Sequence, residues 1–375
     1  MIFMPALFHG VRILDFTKVL SGPLATRMFA DEGAEVLKIE SEAHHDDARD
    51  FPPLHHGWSG YFEVLNRNKK GVQLDASRPR DLKAIYTLCK DADVVVENMT
   101  PSTKHRLKID DQTLRAINPR LIYASLSGLG QADDRKYYDM IAQAESGLMS
   151  LNGFPDAPLK IGPPIVDTFS GMTLAFAIAS ALFYRERTGE GQSIDVSMLG
   201  CSMNLLESNL IEYAVRKQNP ERTGNQDNQV SPFGVYKTRD GSIALAIGNN
   251  ALWNAFAGFL ETHRPLERER YVTNQLRLEH AAALTVLIEE IFKGYLTEDL
   301  VLRLNLLQIP CSRVNTMADV YHDERHYQTQ RLVKYASPQF GECVVPGKSV
   351  HFSAVDAVGF SPAPALDQNT EDYVV

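Results

Sequence analysis

In the segment IGPPIVDTFSGM (161–172), two prolines and a short apolar run deliver one carboxylate, Asp167, to the start of an apolar helical stretch. An aspartate followed by Thr-Phe-Ser ahead of a helix makes a good N-cap, worth about 1 kcal/mol. The same placement holds a carboxylate ionised and oriented, which is what a carboxylate nucleophile requires. The two roles are compatible, and residue type alone leaves both open. A second cluster, RKYYDMIAQAESG (135–147), sets Lys136, Tyr138 and Asp139 just before another expected helix, either as capping groups with a half-buried tyrosine or as site residues. Lys69 and Lys70 in NRNKKG, with Lys104 and Arg106 in TPSTKHRL, follow expected strands or turns. There they meet phosphates or remain solvated surface charges.

Other chemistries lose ground. The segment AHHDDARDFPPLHHG (43–57) holds four histidines and three aspartates, but adjacent histidines rarely share one ion, so a polar substrate-side loop is expected and no metal. Cys89, Cys201, Cys311 and Cys343 are far apart with no C-x-x-C pair, so they read as buried thiols. The phosphate-loop, zinc-protease, nucleophile-elbow and dinucleotide-glycine signatures are absent. The 38 basic and 47 acidic residues give a net charge of −9, and nothing outside short local clusters looks like a nucleic-acid footprint; a polyanionic ligand must find a local basic patch. The start, MIFMPALFHGVRILDF, has neither a basic n-region nor a small-residue cleavage site, and a cytoplasmic protein is expected.

The elements that must position these residues follow from periodicity. Short β-rich runs at 11–16, 35–40, 71–75, 93–98, 121–128 and 193–198 mostly alternate with helical patterns. That alternation predicts an α/β fold with a doubly wound parallel layer, ligands lying beyond the carboxyl ends of the strands. The first loop, TKVLSGP (17–23), leads through Gly22 and Pro23 into a helix that stops at Gly33, so its backbone N–H groups can face a phosphate. The run GMTLAFAIASALFY (171–184) is apolar almost all round and predicts a buried helix too short for a membrane span. A polar segment, QNPERTGNQDNQVSP (218–232), reads as a linker, and FGVYKTRDGSIALAIG (233–248) as a hairpin turning at Asp240-Gly241 in a second domain. At 375 residues, two or three folding units are expected. From residues alone the chain is an α/β enzyme for a small anionic ligand.

The blocks GVRILDFTKVLSGPLATRMFADEGAEVLKIE, NRNKKGVQLD, ADVVVENMTPSTKHRL, NPRLIYASLSGLG, YDMIAQAESGLMSLNGF and RTGEGQSIDVSM occur in order over about 200 residues. Together they resemble the class III CoA-transferases, which include formyl-CoA and carnitine CoA-transferases, and the related α-methylacyl-CoA racemases; IPCSRVNTMADV (309–320) extends the likeness. The resemblance implies a Rossmann-like large domain over 1–200, completed by about 335–375, with a smaller α+β domain inserted at 233–320. A helical linker at 201–232 and a return linker at 321–334 would join them, and two subunits would interlock as a homodimer. It places the catalytic aspartate on Asp167. It places contacts to CoA on Val19, Leu20 and Ser21, on Leu74, Asp75, Ala76 and Ser77, on Asn98, Met99 and Thr100, on Arg106, and on Lys136, Tyr137 and Tyr138. The family's arginine after the second strand is Ser41 here, so one contact to phosphate or adenine does not carry over.

The implied substrates are an acyl-CoA and a small carboxylic acid, with coenzyme A as substrate and no prosthetic group. Asp167 would attack the thioester to give an aspartyl anhydride and then an aspartyl-CoA thioester, in a pocket kept dry. The racemases carry a His-Asp pair where this chain has Tyr138-Asp139, so a two-base racemisation lacks its histidine unless Asp139 serves as a base. The glycine run that acts as a lid in formyl-CoA transferase is missing from GNQDNQVSPFG (224–234), which turns the expectation from oxalate and formate toward small dicarboxylates. Racemase activity, and a CoA-binding protein without catalysis, are the alternatives.

Overall fold

The computed structural model describes residues 6–355 and 358–374. Six of the expected β-runs form one all-parallel sheet: β1 (Arg12–Asp15), β2 (Glu35–Glu40), β3 (Lys70–Gln73), β4 (Val94–Glu97), β5 (Ile122–Ser127) and β6 (Ser193–Ser197). They lie side by side in the order β6-β5-β4-β1-β2-β3. Every residue of β4 and β5 is buried, as in a sheet covered on both faces. The strand order reverses direction between β1 and β4, which in an open parallel sheet opens a crevice at the carboxyl ends. Leu14, Leu37, Val72, Ile85, Val95 and Tyr123 form the core on one side.

Two helices pack closely beside this crevice. The first, Ser21–Asp31, follows β1, and the long helix Ile165–Thr188 crosses it. Glycine makes the approach possible: a Cβ on Gly171 would lie 2.5 Å from the Ser21 carbonyl oxygen, and one on Gly22 would lie 2.4 Å from the Thr17 side chain. The long helix departs from expectation in two ways. It begins six residues earlier than 171 and runs four beyond 184, ending at Gly189 in the left-handed region. At 24 residues it is, among the described residues, the one helix long and apolar enough to cross a membrane. It is also not buried all round: Val166, Leu174, Ile178 and Leu182 face inward while Met172, Phe176 and Phe183 are exposed.

The described residues form two compact units. One comprises the chain up to Leu148, Ile161–Glu207 and Arg325 onward; the other comprises Met149–Lys160 and Ser208–Glu324. The stretch 201–232 is therefore divided at Glu207, with helix Met198–Asn204 in the first unit and helix Asn209–Arg216 in the second. The first unit also holds the hairpin of β10 (Leu332–Ser337) and β11 (Gly341–Pro346). Farther on, Asn369 N–H donates to the Gly71 carbonyl at 2.8 Å and Thr370 Oγ1 accepts from Gln73 N–H at 2.8 Å, so residues 369–370 flank β3.

The second unit has an antiparallel sheet of β7 (Phe233–Lys237), β8 (Ser242–Ala246) and β9 (Cys311–Arg313). It packs on a core of Trp253, Phe256, Leu260, Ile288, Phe292 and Leu304. The turn at Asp240-Gly241 occurs as expected, and Asp240 gains a second task by accepting from the Thr297 N–H at 2.8 Å and its hydroxyl at 2.7 Å.

Candidate active site

A cavity of about 640 Å³ opens at the carboxyl ends of the sheet, across the reversal between β1 and β4. Its walls form at the ends of five strands: 18–21 after β1, Ser41 after β2, 74–77 after β3, 98–101 after β4 and 126–128 at the end of β5. Asp167 and the segment 133–138 complete it. All fifteen residues that the sequence assigned to catalysis and CoA contact, from Val19 to Asp167, line this one cavity. Lys18, His44, Ser127 and Arg135 line it too and were not named individually, although Lys18, His44 and Arg135 lie inside segments that were.

The loops are locked from below. Asn98 Oδ1 accepts from Lys18 N–H and its amide donates to the Lys18 carbonyl, both at 2.9 Å, tying the β1 and β4 loops together. Val19 sits at φ 68°, a strained position for a β-branched residue, and its N–H donates to Asp46 Oδ1 at 2.8 Å. Asp46 is held in turn by the fully buried Lys38 ammonium at 2.8 Å. Beneath β1, Asp15 accepts from Lys69, Thr17 and Thr26. Despite burial, the cations Lys69 and Lys38 and these hydroxyls hold its carboxyl well below the usual carboxylate range. On the opposite wall, a Cβ on Gly128 would stand 2.3 Å from Tyr137 Cβ, so this glycine lets the 133–138 segment fold against β5.

Several expectations are corrected here. Lys69 is no phosphate ligand: it is buried against Asp15, Asn66 and the Pro23 carbonyl, and burial pulls its ammonium down to about 8. Lys70 pairs with Glu35 and Tyr373 at the edge of the sheet, and Lys104 is buried on Glu97 and Ser125. Of the four basic residues proposed for phosphates, Arg106 faces the cavity. Tyr138 is exposed rather than half-buried. Within the histidine-rich segment Asp46 serves the buried ion pair, and among the described residues no group of three or more His, Cys, Asp or Glu is placed to hold a metal.

Asp167 itself departs most from expectation. The N-cap position of the long helix is Pro164, with no side-chain cap of its own, and Asp167 lies in the first turn. The capping group comes from elsewhere: Asp139 Oδ1 accepts from Val166 N–H at 2.8 Å and Asp167 N–H at 3.3 Å, while its Oδ2 accepts from Gln143 Nε2 at 2.6 Å. Gln143 is fixed by the Ile161 N–H, which donates to its Oε1 at 2.8 Å. The Asp167 carboxylate is thereby free of backbone duty, and its Oδ1 accepts from the Ser21 hydroxyl at 2.6 Å. Nor is it held firmly ionised: burial pushes its pKa up to about 6, the Ser21 hydrogen bond opposes the rise and the Asp139 charge adds to it. Tyr61, missed in the sequence, sits close enough that burial and then the Asp167 charge push its phenol up to about 12.

The arrangement is a part-buried carboxylate, available as a nucleophile, beside a cavity whose lining includes Lys18, Arg106, Arg135 and Lys136. It suits an extended polyanion with a reactive carbonyl at its inner end. Comparison with known proteins gives the same class. The family model for CoA-transferase family III matches residues 8–370. The chain is 31% identical over 367 residues to a succinyl-CoA:glutarate CoA-transferase of Mus musculus, covering 96% of this chain and 84% of that protein. It is 33% identical over 325 residues to a succinate–glutarate CoA-transferase of Agrobacterium fabrum, covering 84% and 81%. Among solved structures, a CaiB/BaiF family protein from Brucella suis superposes with a TM-score of 0.86 at 30% identity over 98% of both chains.

Proposed function

The chain belongs to CoA-transferase family III, and from that premise we propose that it moves CoA from an acyl-CoA to a small dicarboxylic acid through covalent intermediates on Asp167. The observation that carries this reading is the Asp167 carboxylate, relieved of capping by Asp139 and lining the cavity. The carboxylate attacks the thioester carbonyl, the C–S bond breaks, and an aspartyl anhydride and CoA thiolate result. The thiolate attacks the aspartyl carbonyl, releasing the donor acid and leaving an aspartyl-CoA thioester. The acceptor carboxylate then attacks that thioester, displacing CoA thiolate and forming a second aspartyl anhydride; the thiolate attacks the acceptor's acyl carbon, releasing the new acyl-CoA and the Asp167 carboxylate. Each bond broken is as activated as the one formed, so no other energy source is needed.

Succinate and glutarate, named for the two relatives, supply the dicarboxylate class. Asp139 argues against racemisation, since both its oxygens are engaged in holding the helix start and Gln143. The same reading has the enzyme work as a cytoplasmic homodimer without a prosthetic group, membrane or nucleic acid. The test is intact-protein mass spectrometry after brief mixing with succinyl-CoA and other acyl-CoAs. Wild type is expected to gain an acyl or CoA adduct that a dicarboxylic acid discharges, and Asp167→Ala to gain none. An adduct of equal yield on Asp167→Ala, or α-proton exchange with no adduct, sinks the reading.

A further inference from the structure

Ser21 begins the first helix and is 3% exposed. Serine at a helix start ordinarily serves the backbone, but no side chain caps this helix. The hydroxyl instead crosses to a helix 146 residues away in sequence and donates to Asp167 Oδ1 at 2.6 Å, a length typical of a hydroxyl on an ionised carboxylate. The contact is fixed from both sides. Gly171 brings the long helix against the Ser21 carbonyl, and Asp139 holds the N–H groups of Val166 and Asp167. Among the described residues Asp167 Oδ2 receives no hydrogen bond, so it is the oxygen with a lone pair free to attack.

Resting on the transferase reading, we propose that Ser21 acts on Asp167 rather than on CoA, aiming Oδ2 at the thioester and then donating to Oδ1 when that atom becomes an oxyanion. The second role follows from atom bookkeeping. When Oδ2 bonds to the acyl carbon, Oδ1 becomes the carbonyl oxygen of the aspartyl anhydride. CoA thiolate then adds to the aspartyl carbonyl carbon and the C=O electron pair moves onto Oδ1; on collapse C=Oδ1 re-forms, the Cγ–Oδ2 bond breaks, and the donor acid leaves as its carboxylate, carrying Oδ2 and the bond pair. The Ser21 hydroxyl already stands where a donor to that oxyanion must stand, so it needs no reorganisation. It also favours the ionised carboxylate against the pull of burial.

The test compares wild type, Ser21→Ala and Ser21→Thr by rapid mixing with succinyl-CoA, reading acyl and CoA adducts by intact mass across pH. Loss of a preorganised oxyanion donor typically costs about 100-fold in rate, so Ser21→Ala is expected to form the CoA adduct about 100-fold more slowly. Its acyl adduct should accumulate, and its pH midpoint should rise by about one unit. CoA affinity, measured by titration calorimetry, should stay within about twofold, because the hydroxyl serves Asp167 and not CoA. Ser21→Thr keeps a hydroxyl and should recover most of the rate. Wild-type adduct kinetics in Ser21→Ala, or a loss wholly explained by weaker CoA binding, overturns the proposal. Wild type forming no adduct with any acyl-CoA would instead overturn the transferase reading on which it rests.

Discussion

Asp167 shows how one residue trades stability for reactivity. Its raised pKa, about 6, comes first from burial, so the charged form is disfavoured by folding. The sign follows from linkage: between the ordinary aspartate value and about 6, the native state holds a proton that the unfolded state has lost, so stability falls as pH rises through this window. Asp167→Asn removes the cost and keeps an acceptor for Ser21. The variant is expected to be more stable than wild type at pH 7.5 by about 1–3 kcal/mol, and to lose that advantage at pH 4, as read by urea unfolding at both values. An unchanged difference across pH would show that the carboxylate is not held in an unfavourable state. Catalysis should run the other way, adduct formation declining as pH falls below about 6 because the proposed nucleophile is then protonated. At this scale the sequence singles out Asp167 but does not give its state. Two prolines and an apolar run point to the residue; its partners, Ser21 and Asp139, lie 146 and 28 positions away, and no local pattern reports contacts at that separation.

The elements were legible where they were self-sufficient. β2 matches its expected bounds: Val36, Leu37 and Ile39 mark the strand, and the buried Lys38 within it is neutralised by Asp46. The long helix begins six residues before its apolar run, because its first turn is capped from outside by Asp139, while the local cap signal, Asp167, lies inside the helix. Its position across the first helix depends on Gly171, whose added Cβ would lie 2.5 Å from the Ser21 carbonyl oxygen. That neighbour is backbone, so the helices must separate rather than a side chain swing away. Gly171→Ala is therefore expected to lower stability by about 1–3 kcal/mol despite alanine's better helix propensity. It should also slow adduct formation at least tenfold by pulling Asp167 from Ser21. Thermal unfolding and rapid-mixing mass spectrometry would check both, and a stabilised, fully active variant would mean that the crossing is looser than the geometry indicates.

Over the whole chain, the sequence announced an α/β layer and a second domain, yet not that Met149–Lys160 would group with residues 208–324. That grouping rests on contacts such as Gly224 N–H donating to the Gly153 carbonyl at 2.9 Å and Arg222 reaching the carbonyls of Phe154 and Pro155; carbonyl acceptors are the same in every sequence. Hydropathy likewise marked the long helix as apolar without saying what its outer face meets. Met172, Phe176 and Phe183, at 52%, 59% and 74% exposure for Met172, Phe183 and Phe176 respectively, fall within about 40° of one another on the helix. A stripe of this kind calls for a covering surface. A second copy of the chain fits the homodimer proposed for the enzyme, and burying each such side chain contributes about 1.5–3 kcal/mol. The expected outcome is sedimentation at twice the monomer mass for wild type and a shift toward monomer for Phe176→Asp, with far-ultraviolet circular dichroism unchanged. Because the same helix carries Asp167 in its first turn, the separated variant should also lose adduct formation in parallel with the dimer, and regain it at high protein concentration. A wild-type chain that sediments as a monomer, or a Phe176→Asp variant that remains a dimer, would show that this face is covered in another way.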